Sequence, residues 1–318
     1  MTWRTAIADP IYQRYAIIIL SLLALTGVLL ATFTYVLHKY LAKVWTIWRS
    51  WLIMAPLGLL VVGLGRETTI IGITLLALFA FKEFARATGL YRDWGMTGVV
   101  YLAILVMGAA AWLPDPTTSW TRPGWPALMQ AMPIYAIALI WLVPIARNRV
   151  QGQLQSVSLA IVGFLCIGWM FAHLSFLANS PHAYGYIAFI LFAVEVSDIA
   201  AFTSGKLLGR RPFRSNISPK KTWGGAIGAL AVSVALPWIM GFSFPPAFGW
   251  QAKIMAGLIV GIGGQLGDLT ISVIKRDIGI KDMGAAIPGH GGILDRIDSL
   301  IFVAPLFVRL VNWVEPFC

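Results

Sequence analysis

Ten apolar stretches recur along this chain, at 15–37, 50–65, 67–82, 96–113, 130–145, 154–178, 183–204, 222–241, 252–274 and 299–315. A bilayer core about 30 Å thick needs about 20 apolar residues per helix, and a soluble core has no use for so many runs of that length. Helices also satisfy their own backbone in lipid, which an open sheet or loop cannot do. The pattern predicts an all-α fold: a polytopic integral membrane bundle of about ten spanning helices. Composition agrees, because only 12% of residues are charged, against about 25% in a soluble domain. The second and third stretches are short and read as tilted or partly re-entrant. Pro56 and Pro144 fall inside predicted helices, where neighbours in a bundle can satisfy the freed backbone groups.

Charge in the connecting segments alternates. Loops 38–50, 82–95, 146–153, 205–221 and 275–298 hold 3, 3, 2, 6 and 4 Lys or Arg, which is 18 of 24. Loop 114–129 holds only Arg122, and loops 179–182 and 242–251 hold none. Basic loops face the cytoplasm, so both motif-bearing loops, 205–221 and 275–298, are expected there, in a multi-pass protein of the bacterial inner membrane. Ten helices then put both termini outside, against which Arg4 and Arg14 run at the N-terminus. The net charge of +11 follows from this loop bias and from anionic headgroups, so no nucleic-acid partner is expected. Loop 114–127 is rich in Pro and Trp, Trp120 and Trp125 among them, and suits a membrane interface. Cys166 and Cys318 form no disulfide framework. The first stretch has no small-residue cleavage site and reads as a retained helix.

The two halves differ in kind. Residues 1–150 carry sparse charges at helix flanks and read as transmembrane scaffold. Residues 151–318 carry charges inside helices and motif-like loops, and read as the catalytic region. Glu195, Asp198 and Asp268 fall within predicted spans, where an acid is costly and by default functional. Glu195 and Asp198 share a helix face at i, i+3. Asp268, Ser272 and Lys275 share another, and Gly261, Gly263, Gly264 and Gly267 keep that helix thin. Pairing with a base to orient helices is the plainer role open to each acid.

Two loops concentrate phosphate chemistry. Ser218-Pro-Lys220-Lys221-Thr222 reads as a helix entry with free N–H groups and two fixed positive charges. Loop 275–298 holds Lys275, Arg276, Lys281, Asp282, His290, Asp295, Arg296 and Asp298, with Gly289, Gly291 and Gly292 letting backbone amides approach a ligand. Asp282 and Asp295 are hard oxygen donors suited to Mg²⁺ beside substrate phosphates. His290 is open between a phosphate contact and a loop-building role. It has no His or Cys at zinc spacing. A greasy chain with such loops suggests an enzyme acting on a phosphorylated lipid.

Ser272-x-x-Lys-Arg276, Lys281-Asp282 and His290-Gly-Gly-Ile-Leu-Asp-Arg-Ile-Asp298 together resemble the signature of the phosphatidate cytidylyltransferases, the CDP-diacylglycerol synthases. Ser218-Pro-Lys-Lys-Thr222, Asp198-x-x-Ala-Phe-x-x-Gly205 and Gly267-Asp268-Leu269 resemble that family's other motifs in the right order. The likeness is close over 190–300. It implies a multi-helix enzyme that makes CDP-diacylglycerol and pyrophosphate from CTP and phosphatidate or a related lipid phosphate, with Mg²⁺ and room for a second cation. It implies catalytic roles for Asp268, Lys275, Arg276, Asp282, His290, Asp295 and Arg296. Substrate contacts would come from Ser218, Lys220, Lys221, Thr222, Ser272, Lys281, Gly291, Gly292 and Asp298. The metal would lie among Asp198, Asp268, Asp282 and Asp295. A homodimer is compatible with this reading. The chain departs from the family at Gly224 and Ile271, where acids are usual, and at Phe202, where Tyr is usual. Acids restored at 224 and 271 are expected to reach the same ligands. The alternatives are a weakly active paralogue that binds nucleotide or lipid, and an ion-coupled transporter using Glu195, Asp198 and Asp268, for which no internal repeat argues.

Overall fold

The computed structural model describes residues 8–38, 41–118 and 123–317. Arg4, Trp120, Arg122 and Cys318 lie outside them. Ten long helices run through the described residues: α1 Pro10–Ala31, α2 Ala42–Gly63, α3 Arg66–Ala87, α4 Trp94–Trp112, α5 Pro126–Ala146, α6 Gln153–Asn179, α7 Ala183–Leu208, α8 Trp223–Ile239, α9 Trp250–Asp277 and α10 Leu300–Val314. All ten apolar stretches became helices. Eight are long and apolar enough to cross a membrane, while α8 and α10 are shorter. The helices at the second and third stretches are not short: α2 and α3 have 22 residues each. Hydropathy ends at Arg49, Lys82 and Arg86, but helical hydrogen bonding continues through these good helix formers.

Local chemistry sets the helix starts. Asp9 accepts hydrogen bonds from the N–H groups of Ile11 and Tyr12 at 2.8 and 3.1 Å, ahead of Pro10 at the first turn of α1. Asp93 does the same for α4, accepting from Gly95 and Met96. Thr222 caps α8 by accepting from Gly225 N–H at 3.1 Å. Between α7 and α8 the chain forms a small antiparallel hairpin, β1 Pro212–Arg214 and β2 Ser218–Thr222. The expected helix entry at Ser218 is therefore a strand, and the helix begins four residues later at the Thr222 cap.

The helices do not share the burden of packing equally. The apolar windows of α1 and α2 are 6% and 0% buried, against 44% for α3, α4 and α9 and 56% for α6. The inner helices build one core, with an aromatic cluster of Tyr186, Phe189, Phe244, Phe248 and Phe307 at one end. Ring centroids of Phe244 and Phe248 lie 4.4 Å apart in a stacked pair. The motif loops gather at the other end.

The two short helices shape that end. Gly225 at the start of α8 lies against Gly205 and the carbonyl of Ala201 in α7. Gly267 of α9 lies against the carbonyl of Asp298, where the chain turns into α10, and a Cβ there would collide with it. α9 continues from Gly267 to Asp277, which at 1.5 Å per residue is about 15 Å further. The chain therefore enters α10 well inside the bundle and leaves a recess beneath the end of α9.

Candidate active site

A cavity of about 130 Å³ occupies that recess, and charged side chains alone line it. Glu195 and Asp198 come from α7, Asp268 and Lys275 from α9, and Asp282, Asp295, Arg296 and Asp298 from the loop before α10. The i, i+3 and i, i+7 spacings read from the sequence thus turn two helix faces toward one space. All four carboxylates expected at the metal are here, together with Glu195.

Two lysine–aspartate pairs hold the recess, and they differ in solvent access. Lys275 Nζ lies 2.9 Å from Asp295 Oδ1, with side chains 10% and 5% exposed. The other oxygen, Asp295 Oδ2, accepts from the N–H groups of Met283 at 2.9 Å and Gly292 at 3.0 Å. Asp295 thereby ties α9 to both ends of the glycine-rich segment, and both its oxygens are used within the protein. Lys221 Nζ lies 2.6 Å from Asp268 Oδ2, with side chains 27% and 29% exposed. Ser272 donates to Asp268 Oδ1 at 3.2 Å. The carboxylates of Asp198, Asp282 and Glu195 have no hydrogen-bond or ion-pair partner among the described residues.

The glycines act as the sequence suggests at two positions. Gly291 has φ +86°, which favours glycine. Its N–H and C=O both bond to Ile287, closing a tight turn beside Asp282 and Asp295. Gly292 is buried, and a Cβ on it would strike the Glu83 carboxylate and the Gly284 amide.

Other expected residues stand at the rim. Arg276 donates to the carbonyls of Ile217 and Ile280 at 3.2 and 3.4 Å, so it fastens the hairpin to the loop. Lys220 and Lys281 are exposed, and Ser218 and Thr222 belong to the hairpin and the α8 cap. His290 stands apart from the cavity. Its ring meets Trp51 edge-on at 5.9 Å. Burial and then the charge of Arg296 hold the imidazole below the usual histidine range.

Residues from the first 150 reach this loop. Glu83, near the end of α3, accepts a hydrogen bond from Leu294 N–H at 2.9 Å. Ser50 donates to the carbonyl of Pro288 at 2.7 Å. Little along the chain signals either contact. Lys82-Glu83 has the look of an ordinary polar helix end, and only its meeting with Gly284 and Gly292 marks it out.

The two departures differ, and the structure corrects the expectation at Gly224. Gly224 packs on the backbone of Leu208 and Gly209, where a Cβ would come within 2.9 Å. Ile271 is 1% exposed, in the core. A side chain at 224 would meet that backbone first, whereas position 271 lies one helical turn from Asp268, at i, i+3 on α9.

A charged recess at the end of an all-helical membrane bundle, with basic groups around a set of carboxylates, has the chemistry to hold phosphate groups. A profile of the cytidylyltransferase family matches residues 43–314. The chain belongs to the cytidylyltransferase family. It is 32% identical over 245 residues to a phosphatidate cytidylyltransferase of Staphylococcus haemolyticus, covering 76% of this chain and 89% of that protein. It is 33% identical over 236 residues to the phosphatidate cytidylyltransferase of Staphylococcus aureus, covering 73% and 85%. An uncharacterized Escherichia coli protein, YnbB, is 40% identical over 168 residues. That match spans 51% of this chain and 56% of YnbB, little more than half of either.

Proposed function

We propose that this protein transfers the cytidylyl group of CTP to phosphatidate, giving CDP-diacylglycerol and pyrophosphate. The observation that carries the proposal is the recessed cavity where α7, α9 and the 275–298 loop present only charged groups. A phosphatidate oxygen would attack the α-phosphorus of CTP as the bond to pyrophosphate breaks. Such transfers depend on positioning and charge neutralisation more than on a base. This agrees with a site whose one nearby histidine leans on Trp51.

The donor set suits Mg²⁺ in its hard oxygens. Among the described residues no three His, Cys, Asp or Glu side chains are grouped to hold an ion by themselves. That favours an ion shared with the triphosphate, since Mg²⁺ usually binds through one or two carboxylates plus substrate phosphates. Asp268 and Asp282 are the residues to hold it, with Asp198 beside them; Asp295 already spends its oxygens on Lys275, Met283 and Gly292. When bound, the ion would offset phosphate charge. Lys221 would leave Asp268 for a phosphate oxygen, because its partly exposed pair is the weaker of the two. Arg296 and Lys275 supply fixed positive charge at the cavity wall. The acyl chains would stay in the bilayer beside the short helices α8 and α10. The positive-inside bias of the basic loops supports a cytoplasmic cavity, as at a bacterial inner membrane.

Purified protein given CTP, phosphatidate and Mg²⁺ should release pyrophosphate only when all three are present. Release from CTP without phosphatidate would point to a hydrolase and sink the proposal.

A further inference from the structure

A second cavity lies outside the catalytic recess and shares no residue with it. Its volume is about 730 Å³, within the range of about 300–1,000 Å³ typical of small-molecule sites. It forms between the turn after α3, residues 88–94, and the segment from 147 into α6. Three arginines line it: Arg92, Arg147 and Arg149. Asp93 is the acid in the lining and is already engaged. It caps α4 and takes Arg147 Nη1 at 2.7 Å. The guanidinium groups of Arg92 and Arg149 have no hydrogen bond or ion pair among the described residues. The cavity therefore carries three guanidinium groups against one carboxylate.

Loop bias alone asks for basic residues on one side, not for their convergence. Here the fold makes room for them. Gly95, in the first turn of α4, lies directly under the Arg147 guanidinium, and a Cβ there would collide with it. Gly89 and Gly152, with φ +81° and +70°, turn the two segments that frame the space. Thr88, Gln155 and Ser156 add hydroxyl and amide groups, and Trp94 stands 63% exposed at the mouth. A tryptophan at a helix start is the usual marker of a membrane interface. Thr88 follows Glu83 by five residues on the segment that holds the catalytic loop, so the cavity opens on the same side of the bundle as the active site.

We propose that this cavity binds a phosphate group, carried by an anionic lipid headgroup or by a soluble phosphate compound. Guanidinium matches phosphate oxygens in paired, planar hydrogen bonds, and basic pockets between helices at this level suit lipid headgroups. Neither the cytidylyl transfer nor its residues are involved.

The test uses the full-length protein in detergent and three probes: dihexanoyl phosphatidylglycerol, dihexanoyl phosphatidylcholine and inorganic phosphate. Calorimetric titration should show phosphatidylglycerol or inorganic phosphate binding. The Arg92→Gln/Arg149→Gln variant should weaken that binding by about tenfold or more, the scale of one lost charge-assisted contact. Lys43→Gln/Arg49→Gln removes two exposed charges from α2 and should stay within about twofold of wild type. Arg92→Lys/Arg149→Lys keeps charge and should recover part of the affinity if the site is built as described. Phosphatidylglycerol binding that inorganic phosphate does not displace assigns the site to lipid, and equal binding of inorganic phosphate assigns it to a soluble ligand. Binding of neither, binding unchanged in Arg92→Gln/Arg149→Gln, or equal loss in the α2 variant would overturn the proposal.

Discussion

The two lysine–aspartate pairs of the active site look alike on paper and do different things. Lys275–Asp295 lies at the closed end, almost out of solvent, with every carboxylate oxygen used. Lys221–Asp268 lies at the open end, more than a quarter exposed, and joins a hairpin residue to α9. A buried pair is costly to break because it strands a charge. A partly exposed pair contributes about 0–1 kcal/mol and can exchange partners. The closed pair sets the shape of the loop, and the open pair is free to change hands when phosphates arrive.

Asp295→Asn is expected to have the largest effect. It leaves Lys275 without its counter-charge and should cost about 3–5 kcal/mol of stability. Thermal unfolding in detergent should show a large fall, with little folded protein recovered. A variant that unfolds like wild type would mean the closed pair is not structural.

Asp268→Asn should separate stability from chemistry. The unfolding temperature should barely move, while cytidylyl transfer falls by roughly 10²–10³, the scale of a lost electrostatic contact in a reacting site. Near-normal turnover at limiting Mg²⁺ would remove Asp268 from the metal and phosphate machinery.

The open pair also predicts how ligands stabilise the protein. Mg²⁺ alone should leave the unfolding temperature unchanged, since among the described residues no three His, Cys, Asp or Glu side chains are grouped to hold an ion without substrate phosphates. Mg²⁺ with CTP should raise it, by the equivalent of about 2.7 kcal/mol at a hundred times the dissociation constant. A full shift with Mg²⁺ alone would show a preformed metal site and contradict the shared-ion arrangement.

Glu83 gives the smallest and most graded effect. It touches the backbone of the loop and not the cavity lining, so it acts as a positioning residue. Glu83→Ala should lower kcat by about ten- to a hundredfold, as a slightly misplaced loop would. Glu83→Gln keeps an oxygen to accept from Leu294 N–H and should restore most of the rate. Equal losses in both would mean that charge, not position, is what Glu83 supplies.

Much of this architecture was legible in the sequence because it is local. Each helix is a run of apolar residues, and the acids within helices sit at helical spacings that the structure keeps. Asp198 and Asp268 stand out by such spacings, and Asp282 and Asp295 by the compact loop motif that carries them. What the sequence hid depends on distant partners. Nothing near Glu83 says that Gly284 and Gly292 will arrive beside it, some 200 residues later. Nothing near His290 announces Trp51. The stretch from Ser218 misled because Ser-Pro also opens helices, while here the hairpin pairing of Pro212 with Thr222 delays the helix to the Thr222 cap. Gly224 misled because adjacency to a motif along the chain does not set which way a position faces.

The direct test of the account is where label from CTP goes. Purified protein with phosphatidate and Mg²⁺ would be given CTP labelled at the α-phosphate or, separately, at the γ-phosphate, and the lipid fraction counted after a single turnover. Cytidylyl transfer puts the α-label into the lipid and releases the γ-label as pyrophosphate. Appearance of the γ-label in lipid, or of neither label when the protein is folded and both substrates are present, would contradict it.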